Sequence, residues 1–374
     1  MNVTAHARAL SLRTALGLVI LAGCEASDPT PTARVDAGAG DGGAGANCSA
    51  DSTLRPVVEG TCTRPADDYT PRSPSSDAWP ACIADSNAYA PFEASISALS
   101  RVAAFEEIRS LLGFGSAKVP SSDDFLQARV LYSQDQGIES RVSRREDEHY
   151  AAAPKLCRDM SEAELVTYRE RCVGPAILRP ILNDAFVKGI GGETPTVQAA
   201  RIEASLLAWL YFSVFKESTS ARDAAKDCDS MWAKYSGGRP RESAEHVSLA
   251  RYVHALSVET HERIYDGLLA VRCWRDLDNP TGVATNTSLH LRARTQLDRA
   301  LLRGLALVTA QRAEASAGCS SAWEGVRVLG AVLAREAKER DAAKGAALEA
   351  ALARTPEVGG PEVARLLVEI FPCP

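Results

Sequence analysis

Aromatic residues are scarce in this chain, at 6% of the total. No stretch alternates apolar and polar side chains as a half-buried strand would. Several catalytic signatures are missing as well. There is no Gly-x-Ser-x-Gly elbow, no Gly-rich phosphate loop and no His-Glu-x-x-His, which removes the usual sequence grounds for a serine hydrolase, a nucleotide-binding loop or a zinc protease. No close Cys-x-x-Cys pair offers a zinc or redox site. Nothing argues positively for catalysis. Positive charge is not in excess either. The formal net charge is −6, which argues against a nucleic-acid partner. What is abundant is Ala, Leu, Glu and Arg, a composition that suits helices.

The N-terminus is the most specific stretch. Arg8 and Arg13 precede an apolar run over residues 14–22, and Leu21-Ala22-Gly23-Cys24 follows. A short basic region, a short apolar region and small residues before a Cys make a secretory signal over residues 1–23. The run is too short to cross a bilayer as a permanent helix. Leu-Ala-Gly-Cys resembles the bacterial lipobox. That resemblance implies cleavage before Cys24, a lipid on its sulfur, and a membrane as partner. Glu25, where Asp would signal inner-membrane retention, points to the outer membrane. Residues 24–46 are Gly, Ala, Pro and Asp with little to bury, so they read as a flexible tether of roughly 25 Å root-mean-square reach.

Export makes disulfides plausible for a chain with ten cysteines. A lipidated Cys24 leaves nine, an odd number, so at least one thiol is free or pairs outside the chain. Cys157–Cys172 and Cys319–Cys373 are the expected bridges. Residues 47–90 are rich in Pro, Ser and Cys and lack a helical period, so they read as an irregular strap pinned by a disulfide.

From residue 91 to 374 helical segments follow one another. Start and stop signals place them at 91–112, 121–136, 138–152, 161–172, 175–188, 194–217, 220–236, 242–275, 287–315, 321–344 and 361–371. Ser161 and Glu164 form a capping box, and Thr194-Pro195 is a helix start with Pro at the first position. The fold class is all-α: stacked antiparallel helical bundles, an arrangement that two four-helix halves would satisfy. The segment 194–217 is apolar on nearly every side and reads as the central helix. Glu203 shares its angle with Leu207, Leu210 and Val214, so its carboxylate has to be paired, neutral or metal-bound.

Residues 242–275 contain no Pro and one internal Gly and read as one long helix. Its apolar face carries His254 and His261, with Ser257 between them. Metal ligation, with Glu203 completing the set, is the functional reading. Along one straight helix the two imidazoles stand about 10.5 Å apart, too far for one ion to take both. Two hydrogen-bonded core histidines are the structural reading. A second candidate is Glu146-x-x-His149 on a helix, one copy of a motif that di-iron bundles use twice. Glu259/Glu262 and Glu336/Glu339 match Glu-x-x-Glu but read as solvated surface. Arg294 and Asp298 read as a buried ion pair.

Trp232-Ala233-Lys234-Tyr235-Ser236-Gly237-Gly238, the helix end Leu268-Leu269-Ala270-Val271-Arg272-Cys273 and a later helix after Cys319 occur in this order. Over residues 121–374 the chain resembles the algal iron-assimilation and high-CO2-inducible periplasmic proteins, and more distantly the imelysin-like bundles. The imelysin Gly-x-His-x-x-Glu motif is absent. The resemblance implies an all-α extracytoplasmic protein associated with iron, with no ligand to carry over residue by residue. The expectation is therefore a membrane-tethered lipoprotein that binds a transition metal, most naturally iron. The alternative is an envelope scaffold or protein-interaction lipoprotein whose buried His and Glu are structural.

Overall fold

The computed structural model describes residues 55–57, 62–71 and 78–373. The expected signal, the tether and Cys24 lie outside the described residues. Among those residues there is no strand, and thirteen α-helices carry the fold. They are α1 (Ile96–Leu112), α2 (Ser122–Ser133), α3 (Ile138–Val142), α4 (Glu162–Thr167), α5 (Arg179–Ile190), α6 (Pro195–Ser220) and α7 (Lys226–Ser236), then α8 (Ser248–Leu256), α9 (Val258–Leu277), α10 (Thr287–Glu314), α11 (Ser320–Arg340), α12 (Ala342–Leu352) and α13 (Pro356–Ile370). The all-α expectation holds.

Local chemistry sets many of the ends. The Ser121 hydroxyl accepts from the Asp124 N–H and opens α2, and Ser161 does the same with Glu164 at α4. Gly113 and Gly237 close α1 and α7 at φ 68° and 66°, a conformation that costs glycine little.

Helix α6 is central. It packs on α5, α7, α10 and α11, and Trp209, Leu210, Tyr211 and Phe212 are all buried on it. Each such side chain contributes about 1.5–3 kcal/mol by leaving water. Helices α9 and α10 lie side by side. Gly267 permits this, because a Cβ there would come within 2.6 Å of the Leu297 Cα.

In its described residues the strap is irregular as expected, with one short 3-10 turn at Ile83–Ser86, and it is pinned more firmly than expected. Cys62 bonds to Cys373 and Cys82 to Cys273. Between them, the Gln296 side chain of α10 exchanges two hydrogen bonds with the Tyr69 backbone, at 2.8 and 2.9 Å.

Cys157–Cys172 forms as expected. Cys319–Cys373 does not. The strap brings Cys62 to Cys373, with 5.3 Å between their Cα atoms, and Cys319 is disulfide-bonded elsewhere. Cys228 is a free, buried thiol.

Three helices expected from the sequence are broken. The segment expected over 321–344 splits at Asp341, which is extended at φ −154° and ψ 100° and whose carboxylate accepts from the Lys344 N–H to start α12. Residues 242–275 are not one helix: α8 ends at Leu256, Ser257 is extended at φ −149° and ψ 107°, and its hydroxyl accepts from the Thr260 N–H to start α9. A short hydroxyl side chain competes with the helix ladder in this way. The segment expected to be helical from 138 to 152 stops at Val142. There the buried Arg171 takes over the backbone. Its guanidinium binds the carbonyls of Asp147 and Tyr150 and the carboxylates of Glu146 and Glu148, while its own carbonyl accepts from the Asp147 N–H at 2.7 Å.

Candidate metal centre

The loop held by Arg171 places His149 among side chains of α6, α10 and α11. Its ring stacks on Phe215 of α6, with centroids 4.0 Å apart and planes 7° from parallel. Nδ1 lies 2.6 Å from Asp147 Oδ1 and 3.7 Å from Glu336 Oε1, and Nε2 lies 3.1 Å from Asp298 Oδ2. The Nε2 contact is off the line of a good hydrogen bond, so it is chiefly one of charge. The side chain of Asp147 is 1% exposed, that of His149 16% and that of Glu336 12%, so water screens these charges weakly.

Arg335 holds the other oxygen of Asp147 at 2.7 Å and lies over the Tyr150 ring. The Tyr211 hydroxyl donates to Asp298 at 3.2 Å. Burial opposes charge on the His149 ring, but the hydrogen bond to Asp147, the close Asp298 carboxylate and the charges of both outweigh it and raise its pKa to about 10. Burial drives Glu336 up to about 7; the His149 charge opposes this and the carboxylates of Asp147 and Asp298 reinforce it. At neutral pH the ring is charged and Glu336 is part-protonated.

The ligand atoms of Asp147, His149 and Glu336 all lie within 4.8 Å of one another. Among the described residues no other three His, Cys, Asp or Glu side chains converge in this way. Ligands about 2.1 Å from one ion lie about 3 Å apart, so small rotations would let all three reach a cation. Asp298 stands at the far ring nitrogen, where a metal-bound histidine usually has a carboxylate or carbonyl partner.

Glu146, expected beside His149 on a helix face, points away to Arg171 at 2.9 Å. Asp298 meets His149 and Tyr211 rather than pairing with Arg294, whose guanidinium lies over Phe215. Glu336 is half-buried, not solvated surface. Its place in the series Leu329, Leu333, Glu336 puts it on the inner side of α11, a signal the Glu-x-x-Glu spacing obscured. Asp147, Asp298 and Glu336 all went unrecognised as site residues in the sequence.

His254 and His261 come closer than a straight helix allows. The break at Ser257 leaves their ring centroids 5.2 Å apart, and His246, which no sequence pattern singled out, lies 3.9 Å from one and 4.7 Å from the other. Both nitrogens of His261 are engaged, Nδ1 with the Tyr235 hydroxyl at 3.0 Å and Nε2 with the Arg241 carbonyl at 3.3 Å. A carbonyl only accepts, so Nε2 carries the proton and Nδ1 accepts from Tyr235. Burial drives the His261 pKa down to about 3, and the ring stays neutral. Glu203, buried as expected, accepts from the Tyr252 hydroxyl at 2.8 Å and pairs with Arg312 at 3.1 Å.

Compared with known families, curated proteins and solved structures, the chain matches no family model, no curated protein and no solved structure.

Proposed function

We propose that this protein is an exported, lipid-anchored helical-bundle protein that binds a divalent transition metal through His149, Asp147 and Glu336. The convergence of these three largely buried side chains from a loop and α11 carries the reading. Asp298 behind the imidazole and Arg335 behind Asp147 would serve as outer partners that orient the ligands. The metal would replace the Nδ1 proton, so binding releases a proton and weakens as pH falls. One imidazole with carboxylates suits iron, manganese or zinc. Iron is favoured by the resemblance to the algal iron-assimilation proteins. The anchor is supported by Leu-Ala-Gly-Cys24 and by disulfides that fit an oxidising compartment.

The scaffold reading rests on one observation. The charged His149 ring already lies against two carboxylates, so this network can knit the loop to α10 and α11 without an ion. Metal content separates the two readings. A Cys24→Ser chain without affinity histidines, loaded with Fe(II), Mn(II) or Zn(II), should hold about one ion and melt higher with it. Glu336→Gln and His149→Gln should abolish both effects, and His261→Gln should leave them intact. A parent protein with no ion above background overturns the metal reading.

A further inference from the structure

A polar cavity of about 400 Å3 opens where α1, α3, α6 and α7 meet. Its cations come from four helices: Arg101, Arg141, Lys216, Lys226 and Lys234. Its carboxylates are Glu93, Glu217 and Asp227, and Glu217 is already bonded to Lys234 and in reach of Lys216. The wall is therefore net positive in a chain whose formal charge is −6.

Arg145 adds to this field from behind. It is 4% exposed, and among the described residues its guanidinium has no hydrogen-bond or ion-pair partner within reach. Its charge acts on Arg101, Glu217 and Lys234. Glu146 and Glu148 also act on it, but both are bonded to Arg171. The Arg141 Nε is likewise buried and unpartnered. Burial, and then the Arg141 charge, push Arg101 down to about 10. A cation without its counter-ion is costly in such a place.

The backbone points the same way. Residues 95–98 line the cavity and begin α1. The Ser95 hydroxyl is engaged with Ser230 at 3.0 Å and does not cap the helix, which leaves the first-turn N–H groups of Ile96 and Ser97 for another acceptor. The first turn of α7 supplies Lys226 and Asp227 to the same cavity, but the carboxylates of Asp227 and Asp229 offset its dipole. The N-terminus of α1 thus adds positive potential to that of the side chains.

We propose that this cavity binds a small phosphate-bearing anion, held by Arg101, Arg141 and Lys216 and by the N-terminus of α1. The volume exceeds what a bare phosphate fills and suits a phosphomonoester of a small molecule. Inorganic phosphate and glycerol phosphate are the probes, with metal-free protein in calorimetry and thermal melts. Both should bind at millimolar concentration and raise the melting temperature. Arg141→Gln and Lys216→Gln alter partly exposed side chains and should preserve the fold; each should weaken binding about tenfold, equivalent to about 1.4 kcal/mol. Glycerol phosphate binding at least tenfold tighter than phosphate identifies an ester as the ligand, and equal affinities identify the free anion. Binding of neither probe, or binding unchanged in both variants, overturns the proposal.

Discussion

His149 is half-buried and His261 buried, and both imidazoles have their two ring nitrogens engaged or closely approached, yet their partners put them in opposite states. His149 faces Asp147 and Asp298 and is held charged. His261 faces a hydroxyl and a backbone carbonyl and is held neutral. Burial penalises the charged ring at both places. The carboxylates decide the outcome, because only a full negative charge at hydrogen-bond distance outweighs that penalty. The comparison also explains which region suits a cation. Around His149 there are anionic oxygens to spare, with Glu336 pushed towards its neutral form by burial and, less strongly, by the others. Around His261 the nearest polar atoms are neutral and already bonded.

The largest effect is expected from removing the charge that holds His149. Asp147→Asn should destabilise the metal-free protein by about 3 kcal/mol, since it removes the buried carboxylate between His149 and Arg335 and leaves Asp298 and Glu170 as their nearest carboxylates. Tyr235→Phe, the matching change beside His261, should cost only about 1 kcal/mol. Urea unfolding of the two variants measures this, and equal losses would erase the distinction between the regions.

A smaller effect comes from pH. The folded pKa of His261, about 3, lies below the ordinary unfolded value near 6.5, so the unfolded chain binds the proton more readily. Stability from the neutral ring is complete above pH 6.5 and is lost as pH falls towards 3. Between pH 6.5 and 5 the loss is about 2 kcal/mol. His261→Gln should start less stable but show a shallower decline over that range. His149 runs the other way: its contribution is complete below pH 6.5 and is lost as pH rises through about 10. An unchanged slope in His261→Gln would mean that this ring is not the proton acceptor.

The smallest effect concerns the break that gathers His246, His254 and His261. Ser257→Ala removes the hydroxyl that accepts from Thr260 and should cost about 1 kcal/mol in thermal melts. Metal content should not move, because the break lies outside the His149 centre.

The helices were legible where their signals were local. Ser121 with Asp124, Ser161 with Glu164, and the stops at Gly113 and Gly237 can be read within one turn of chain. The central place of α6 followed from its apolar circumference. Two of the broken helices were not legible in the same way. Ser257 breaks a stretch with no Pro and with good helix formers on both sides. The loop after Val142 depends on Arg171, a residue in a later segment whose five donors replace the helix ladder. The centre around His149 was opaque for a related reason. Its members sit at positions 147, 149, 298 and 336, and only tertiary packing brings them together. Glu146-x-x-His149 singles out one of these members, but through a helix that does not form.

The Cys62–Cys373 bond spans 311 positions and makes a covalent ring of nearly everything between the strap and the C-terminus. Such a ring has no free end at α13 from which to fray. A protease that cuts one surface loop within it, such as the turn at residues 279–283, opens the ring without releasing a fragment. The severed halves remain one molecule, and a second cut or a reductant is needed to part them. Damage at a single point would therefore leave the helices in place to close again around α6.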